Sequence, residues 1–354
     1  MRTKSVAWWG IRVIFSFMNL MLISGAEAQN FNTGVFGMEI TVGGCVEAEA
    51  GYEKINYDDP GVTNEESSDI SLATVELGLD VKVNPHVCGH VLFLYEEAPD
   101  ADIEVDEGLV LFFGDEEYPL YLSFGRQYVP FGKFESHFIS DPLTLELGET
   151  RETAVVAGYE NALVNVFLGA FNGDVNETEN VDDHIDDYVA GLTLTFTKVE
   201  FGTIAIGVSH IGNIAESDAL TEEVATVDGT VEDKVPGYST FVSMTVREKL
   251  FFEAEFLGAG RDFKAGELSF DSGKSYKPAA WNVELAYLLT EALEIAVRYG
   301  GSGDGGDFLP EVLYGGCLSL SVLENTRLAF EFQGGEYENH DDVISAVAQL
   351  AVAF

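Results

Sequence analysis

Charged side chains crowd one interval of this chain. Between positions 126 and 151 stand Arg126, Lys133, His137, Glu146, Glu149 and Arg151. No catalytic constellation of nucleophile, base and orienting group rises above background among them, so bond-making chemistry is not expected there and no enzymatic activity is assigned. Opposed charges facing one another across a narrow passage do something else: they set up a transverse field that discriminates among charged solutes. A second set, Glu253, Glu255, Arg298, Arg327 and Glu331, falls on strand-like stretches opposite apolar side chains. Lys82, His90, Asn282, Glu284, Glu294 and Gln333 share that placement. On a half-buried strand such a face looks into water.

Other motifs carry less. His86, Cys88 and His90 alternate, which would put them on one strand face as soft-metal ligands, but His86 falls in a turn. The run from Gly300 to Asp307 is rich in Gly and Asp but lacks the spacing of a calcium-binding repeat. Gly207-Val208-Ser209-His210 lacks the second glycine of a nucleophile elbow and reads as strand. No resident cofactor or structural metal is expected. The acidic loops at 58–69 and 172–187 are expected to bind Ca2+ or Mg2+ weakly, because packed carboxylates repel one another.

The elements that must position these residues are strands. Ile344, Ala346, Ala348, Leu350, Val352 and Phe354 share one parity, with Ser345 and Gln349 on the other face. The same two-residue period recurs at 71–83, 87–95, 188–196, 281–289 and 293–299. A first long strand is expected over 35–55, broken at Gly43-Gly44, and a Gly-rich loop over 300–307. Tight turns at Asn84-Pro85, Glu160-Asn161, Arg247-Glu248-Lys249 and Glu324-Asn325 alternate with long polar connections. The count is about sixteen strands, the even number of a transmembrane antiparallel up-and-down β-barrel. Short turns on one side and long acidic loops on the other are the sidedness of a barrel in a bacterial outer membrane. The fold expectation is therefore all-β, one domain over 29–354.

Composition fits a wall wetted on one side and lipid-coated on the other. The chain has 354 residues with 37 Gly, 12% aromatics and only 9 Pro. Arg2, Lys4 and Arg12 flank or precede an apolar run, and Ala26-Glu27-Ala28 supplies a small-x-small cleavage pattern, so 1–28 reads as a secretory signal. Three Cys are too few for a disulfide framework, though one pair among Cys45, Cys88 and Cys317 remains open. The net charge of −43 argues against nucleic-acid partners. The expected partners are outer-membrane lipid and lipopolysaccharide, the barrel-assembly machinery and a small solute.

Two segments carry a family resemblance. Phe124-Gly125-Arg126-Gln127-Tyr128-Val129-Pro130-Phe131-Gly132 and the run Ile139-Ser140-Asp141-Pro142-Leu143-Thr144-Leu145-Glu146-Leu147-Gly148-Glu149-Thr150 resemble the central signature of the LbtU-type siderophore porins of Gram-negative bacteria. The resemblance implies outer-membrane uptake of an iron–siderophore complex. The function expected is passive passage of small solutes, with the loop at 128–149 folded into the channel. Arg126, Lys133 and Arg151 would then attract anionic groups inside it. The alternative is a structural or adhesive barrel with an occluded lumen.

Overall fold

A computed structural model of the chain describes residues 29–32, 38–98, 101–178, 184–198, 201–226 and 228–354. The leader read at 1–28 lies outside these residues. Seventeen strands form among them. A four-residue strand β1 (Gln29–Asn32) is followed by the long pair β2 (Glu39–Asn56) and β3 (Glu65–Asn84). Then come β4 (Val87–Tyr95), β5 (Glu104–Phe113), β6 (Leu120–Tyr128), β7 (Arg151–Glu160) and β8 (Val164–Phe171). The next four are β9 (Asp187–Lys198), β10 (Gly202–Ile211), β11 (Gly237–Val246) and β12 (Leu250–Ala259). The last are β13 (Ala279–Thr290), β14 (Leu293–Gly303), β15 (Val312–Leu323), β16 (Thr326–Glu336) and β17 (Asp342–Ala353). Two short helices, α1 (Leu143–Gly148) and α2 (Asp218–Glu223), lie in connections.

From β2 to β17 each strand pairs antiparallel with its sequence neighbours, and β17 pairs antiparallel with β2 along Cys45 to Asn56. The sheet thus closes on itself as a sixteen-stranded barrel with no free lateral edge, as the hairpin rhythm predicts. β1 pairs only with residues 39–42 of β2. The two faces follow the period of two. On β13, Val283, Leu285 and Tyr287 are exposed, whereas Asn282, Glu284 and Ala286 are buried. On β17, Ile344, Leu350 and Val352 point outward and Gln349 and Ala351 inward. An apolar outside and a polar inside identify the outside as the lipid face, because a strand can cross a bilayer only if its backbone is fully paired and its outer side chains are apolar. Among the described residues no helix is long and apolar enough to cross a membrane.

Two sequence expectations change. Gly43-Gly44 does not break the first strand, which runs unbroken through both. A Cβ at Gly44 would lie 2.4 Å from the Glu76 carbonyl oxygen and 2.8 Å from the Phe354 ring. Gly44 is there so that the closing strand can approach. Gly300 to Gly303 likewise belong to β14, and the connection begins at Asp304. All three cysteines are free.

The long connections are not simply polar. Val129, Phe131, Leu143 and Leu147 pack with Ile211, Ile214, Leu220, Val235, Leu257, Phe263, Leu268 and Phe270 in one buried cluster. Apolar side chains spread through three polar loops meet only when the loops fold over one another, so local polarity gave no sign of it.

Candidate functional site

The connection from Val129 to Thr150 folds inward. Its neck is closed by the Val129 amide donating to the Thr150 carbonyl at 2.9 Å. Leu143 and Leu147 of α1 are buried, and a Cβ at Gly148 would lie 2.3 Å from Leu257 of β12. The helix therefore lies flush on the inner wall. Ahead of it the chain crosses to the wall built from β12 to β16.

Three wall carboxylates receive it. Glu255 on β12 accepts the amides of Lys133 at 2.7 Å and Phe134 at 3.0 Å. Glu284 on β13 accepts the Ser136 hydroxyl at 3.0 Å and the His137 amide at 2.8 Å. Glu331 on β16 accepts the amides of Ile139 at 2.6 Å and Ser140 at 3.1 Å. The contacts repeat every three residues of the loop. Consecutive amides can converge on one carboxylate only if the backbone turns back, and Phe134 does so with φ of 57°. A non-glycine residue in that region costs on the order of 1 kcal/mol or more, which the charge-assisted bonds to Glu255 offset.

Arg298 on β14 completes the latch. Its side chain and that of Glu284 are both fully buried, with Nε 2.9 Å from Oε1. It donates to the Ser136 hydroxyl at 2.7 Å and to the carbonyls of Ser140 at 2.8 Å and Asp141 at 3.1 Å. The guanidinium also sits 4.2 Å from the Phe138 ring centroid. Lys133 pairs with Glu135 at 2.7 Å, and the Ser243 hydroxyl lies between Glu135, at 2.9 Å, and Glu253, at 3.0 Å, with one proton to donate to either. His137 reaches Glu294 at 3.0 Å.

The remaining residues singled out in the sequence divide. Arg327 donates to Gln349 at 3.4 Å on the wall beyond the latch. Glu146, in the first turn of α1, is exposed. Glu149 ends α1 half-buried; burial first, then the charges of Asp141 and Asp218, push its carboxyl up to about 8. Arg151 is a correction: it has the outward parity of Thr153 and Val155 on β7, is held by Glu104, at 3.1 Å, and by Asp106 of β5, and does not line the lumen. Arg126 is a second correction. β6 continues through Tyr128, so Arg126 shares the exposed outward face with Leu122 and Phe124 and does not enter the lumen.

Ser136, Ser140 and Phe138 were not singled out, and only the wall acids had a readable signal. A carboxylate that accepts backbone amides leaves no pattern in the loop it holds. The weighed metal set does not assemble. His86 Nδ1 bonds the Phe113 carbonyl at 2.9 Å in the turn, and His90 lies between Asp80 at 2.8 Å and Glu107 at 3.5 Å. Among the described residues no group of His, Cys, Asp or Glu is arranged to hold a metal ion. Ser209 and His210 point to opposite faces: Ser209 accepts the Gly132 amide at 3.1 Å, and His210 stacks outward on Tyr238.

No protein-family model matches the chain. It is similar to a UPF0422 protein of Coxiella burnetii, 24% identical over 278 residues, covering 75% of this chain and 59% of that protein. A UPF0422 protein of Legionella pneumophila strain Philadelphia 1 is 23% identical over 300 residues, covering 78% and 56%. The chain thus spans a little over half the length of these curated relatives. Among solved structures, the outer membrane channel DcaP of Acinetobacter baumannii superposes with a TM-score of 0.61 at 16% identity, over 92% of this chain and 99% of that one. The anion-selective porin from Comamonas acidovorans gives 0.63 at 12% identity, over 90% and 100%. At these identities the likeness is one of fold: the barrel is that of Gram-negative outer-membrane porins and channels, and its place is the outer membrane.

Proposed function

We propose that the chain is a diffusive outer-membrane channel whose bore is set by the inward loop at 129–150, and that it favours cations. The observation that carries this reading is the latch itself. Glu255, Glu284 and Glu331 hold a loop across the barrel interior at fixed height, which a barrel serving only as a scaffold has no need to do. The two cations at the latch are already paired, Arg298 with Glu284 and Lys133 with Glu135, while Arg327 stands beyond it on the wall beside Gln349. Glu146 and Asp141 on the loop stay exposed. A passage with neutralised bases and free carboxylates concentrates cations and depletes anions.

The finer reading is passage of a ferric chelate, which the resemblance over 124–150 supports. The exposed carboxylates restrict it to chelates of neutral or positive net charge. Swelling of proteoliposomes tests the channel: uptake of a cationic amino acid should exceed that of a neutral sugar of equal size, and an anionic one should be slowest. Equal rates for all three would remove the selectivity, and no swelling at all would favour the second reading. That reading, an occluded structural barrel, draws on the apolar cluster with which three loops pack over one another.

A further inference from the structure

Arg126, displaced from the lumen, stands where a cation is unusual. From the short turn upward the outward side chains of β6 are Leu120, Leu122, Phe124 and Arg126, all exposed. On β14 the same four positions are Leu293, Ile295, Val297 and Tyr299; on β10 the outward row, after Gly202, is Ile204, Ile206, Val208 and His210. On these two strands the outward row ends on a ring. Tyr299 meets Trp281 edge-on at 5.0 Å, and His210 stacks on Tyr238 at 4.7 Å while its Nε2 bonds Tyr188 at 3.1 Å. Such a belt marks the level where hydrocarbon gives way to headgroups. Arg126 therefore sits at headgroup height on the lipid side, where an arginine costs little, and not at the midplane, where it costs about 2–4 kcal/mol.

Its surroundings leave it available. Its cross-strand neighbours are Gly108 on β5 and Thr153 on β7. Even a Cβ at Gly108 would meet only Val105, at 3.4 Å, so that flank is open. Thr153 is exposed and offers a hydroxyl. No hydrogen bond or ion pair holds the Arg126 guanidinium among the described residues; its charge reaches Glu152 and Asp218 only through space. Arg151, on the same face of β7, is by contrast captured by Glu104 and Asp106. A chain of net charge −43 that keeps one arginine unpaired against lipid gains nothing in solubility from it. A guanidinium beside a hydroxyl in an open niche binds phosphate through paired N–H donors.

We propose that Arg126 and Thr153 form a lipid-facing site for the phosphate of an outer-leaflet glycolipid. The test uses the full barrel in detergent micelles, with bound lipid counted by native mass spectrometry. The probes are doubly phosphorylated lipid A, the same lipid with its phosphates removed, and inorganic phosphate as competitor. The wild type should retain the phosphorylated lipid about tenfold better than the dephosphorylated one, the worth of one charge-assisted pair. Arg126→Gln should abolish that preference, Arg126→Lys should keep part of it, and Thr153→Ala should reduce it, all with unchanged heat-modifiable migration. Millimolar phosphate should not displace the lipid. Equal retention by Arg126→Gln would overturn the proposal, as would full displacement by phosphate, which would mark a free-anion site. A loss of oligomer in Arg126→Gln with unchanged lipid binding would also overturn it, by showing that a second copy covers this face.

Discussion

Arg298 is the residue on which the inward loop most depends. Among the described residues it is the one buried cation that touches both the wall carboxylate Glu284 and the loop backbone at Ser140 and Asp141. Replacing it with Ala strands Glu284 buried and unpaired, a loss of about 3–5 kcal/mol. Arg298→Ala should therefore expose 129–150 to a soluble protease within an otherwise protected barrel, whereas Arg126→Gln should not. Resistance of Arg298→Ala to cleavage would sink the latch. Glu216 offers a second test, in the outer loops. It is buried and accepts the amides of Asp174, at 2.7 Å, and Val175. Burial foremost, then the Asp187 charge, push its carboxyl up to about 8 from an ordinary 4.5. A group raised in the folded state stabilises below its unfolded value, and that contribution is lost as pH rises through about 8. Amides at 173–178 should exchange faster above that pH than near pH 5, after correction for intrinsic rates, and Glu216→Gln should flatten the difference. Identical protection at both pH values would contradict it. At this scale the sequence was half legible. Wall acids announce themselves by parity, but Arg126 was grouped with the loop's charges although the apolar row Leu120, Leu122, Phe124 already predicted its outward side.

Among elements, the seam between β17 and β2 is where closure is tested. Phe354 and Gly44 exchange amide-to-carbonyl bonds at 3.0 Å each way, and the Phe354 ring lies over Gly44. Gly44→Val would drive a side chain into that ring and into the Glu76 carbonyl. Both Gly44→Val and deletion of Phe354 should slow barrel closure, seen as a loss of heat-modifiable migration, with Gly44→Val the more damaging because its clash is with backbone. Normal migration of both variants would mean that the seam tolerates fraying. The alternating faces that make β17 readable also hid the role of Gly44. Glycine in a strand reads as a break by propensity, and only the partner's approach reveals why it is required. Strand number and order were legible because every hairpin repeats one pattern of apolar parity and turn residues. Strand ends were less so: β3 begins at Glu65, inside what reads as an acidic loop, because pairing with β2 extends a strand past its apolar stretch.

At the scale of the whole molecule the dominant fact is charge. Acidic residues number 61 against 18 basic ones, and the bases at the latch are spent on holding the loop. A loop that had folded outward would leave those wall carboxylates facing bare water; folded inward, it uses three of them as amide acceptors and leaves its own acids, Asp141 and Glu146, exposed. The field so produced is long-ranged only at low ionic strength, with a Debye length of about 30 Å at 0.01 M and about 3 Å at 1 M. Selectivity should therefore be steep in dilute salt and fade in concentrated salt. The most direct measurement is single-channel recording in a planar bilayer under a potassium chloride gradient, at low and then at high mean salt. A cation-favouring channel gated by geometry alone gives discrete conductance steps, a reversal potential on the cation side, and a shift toward zero as salt rises. A silent bilayer, or a reversal potential on the anion side, would contradict the account.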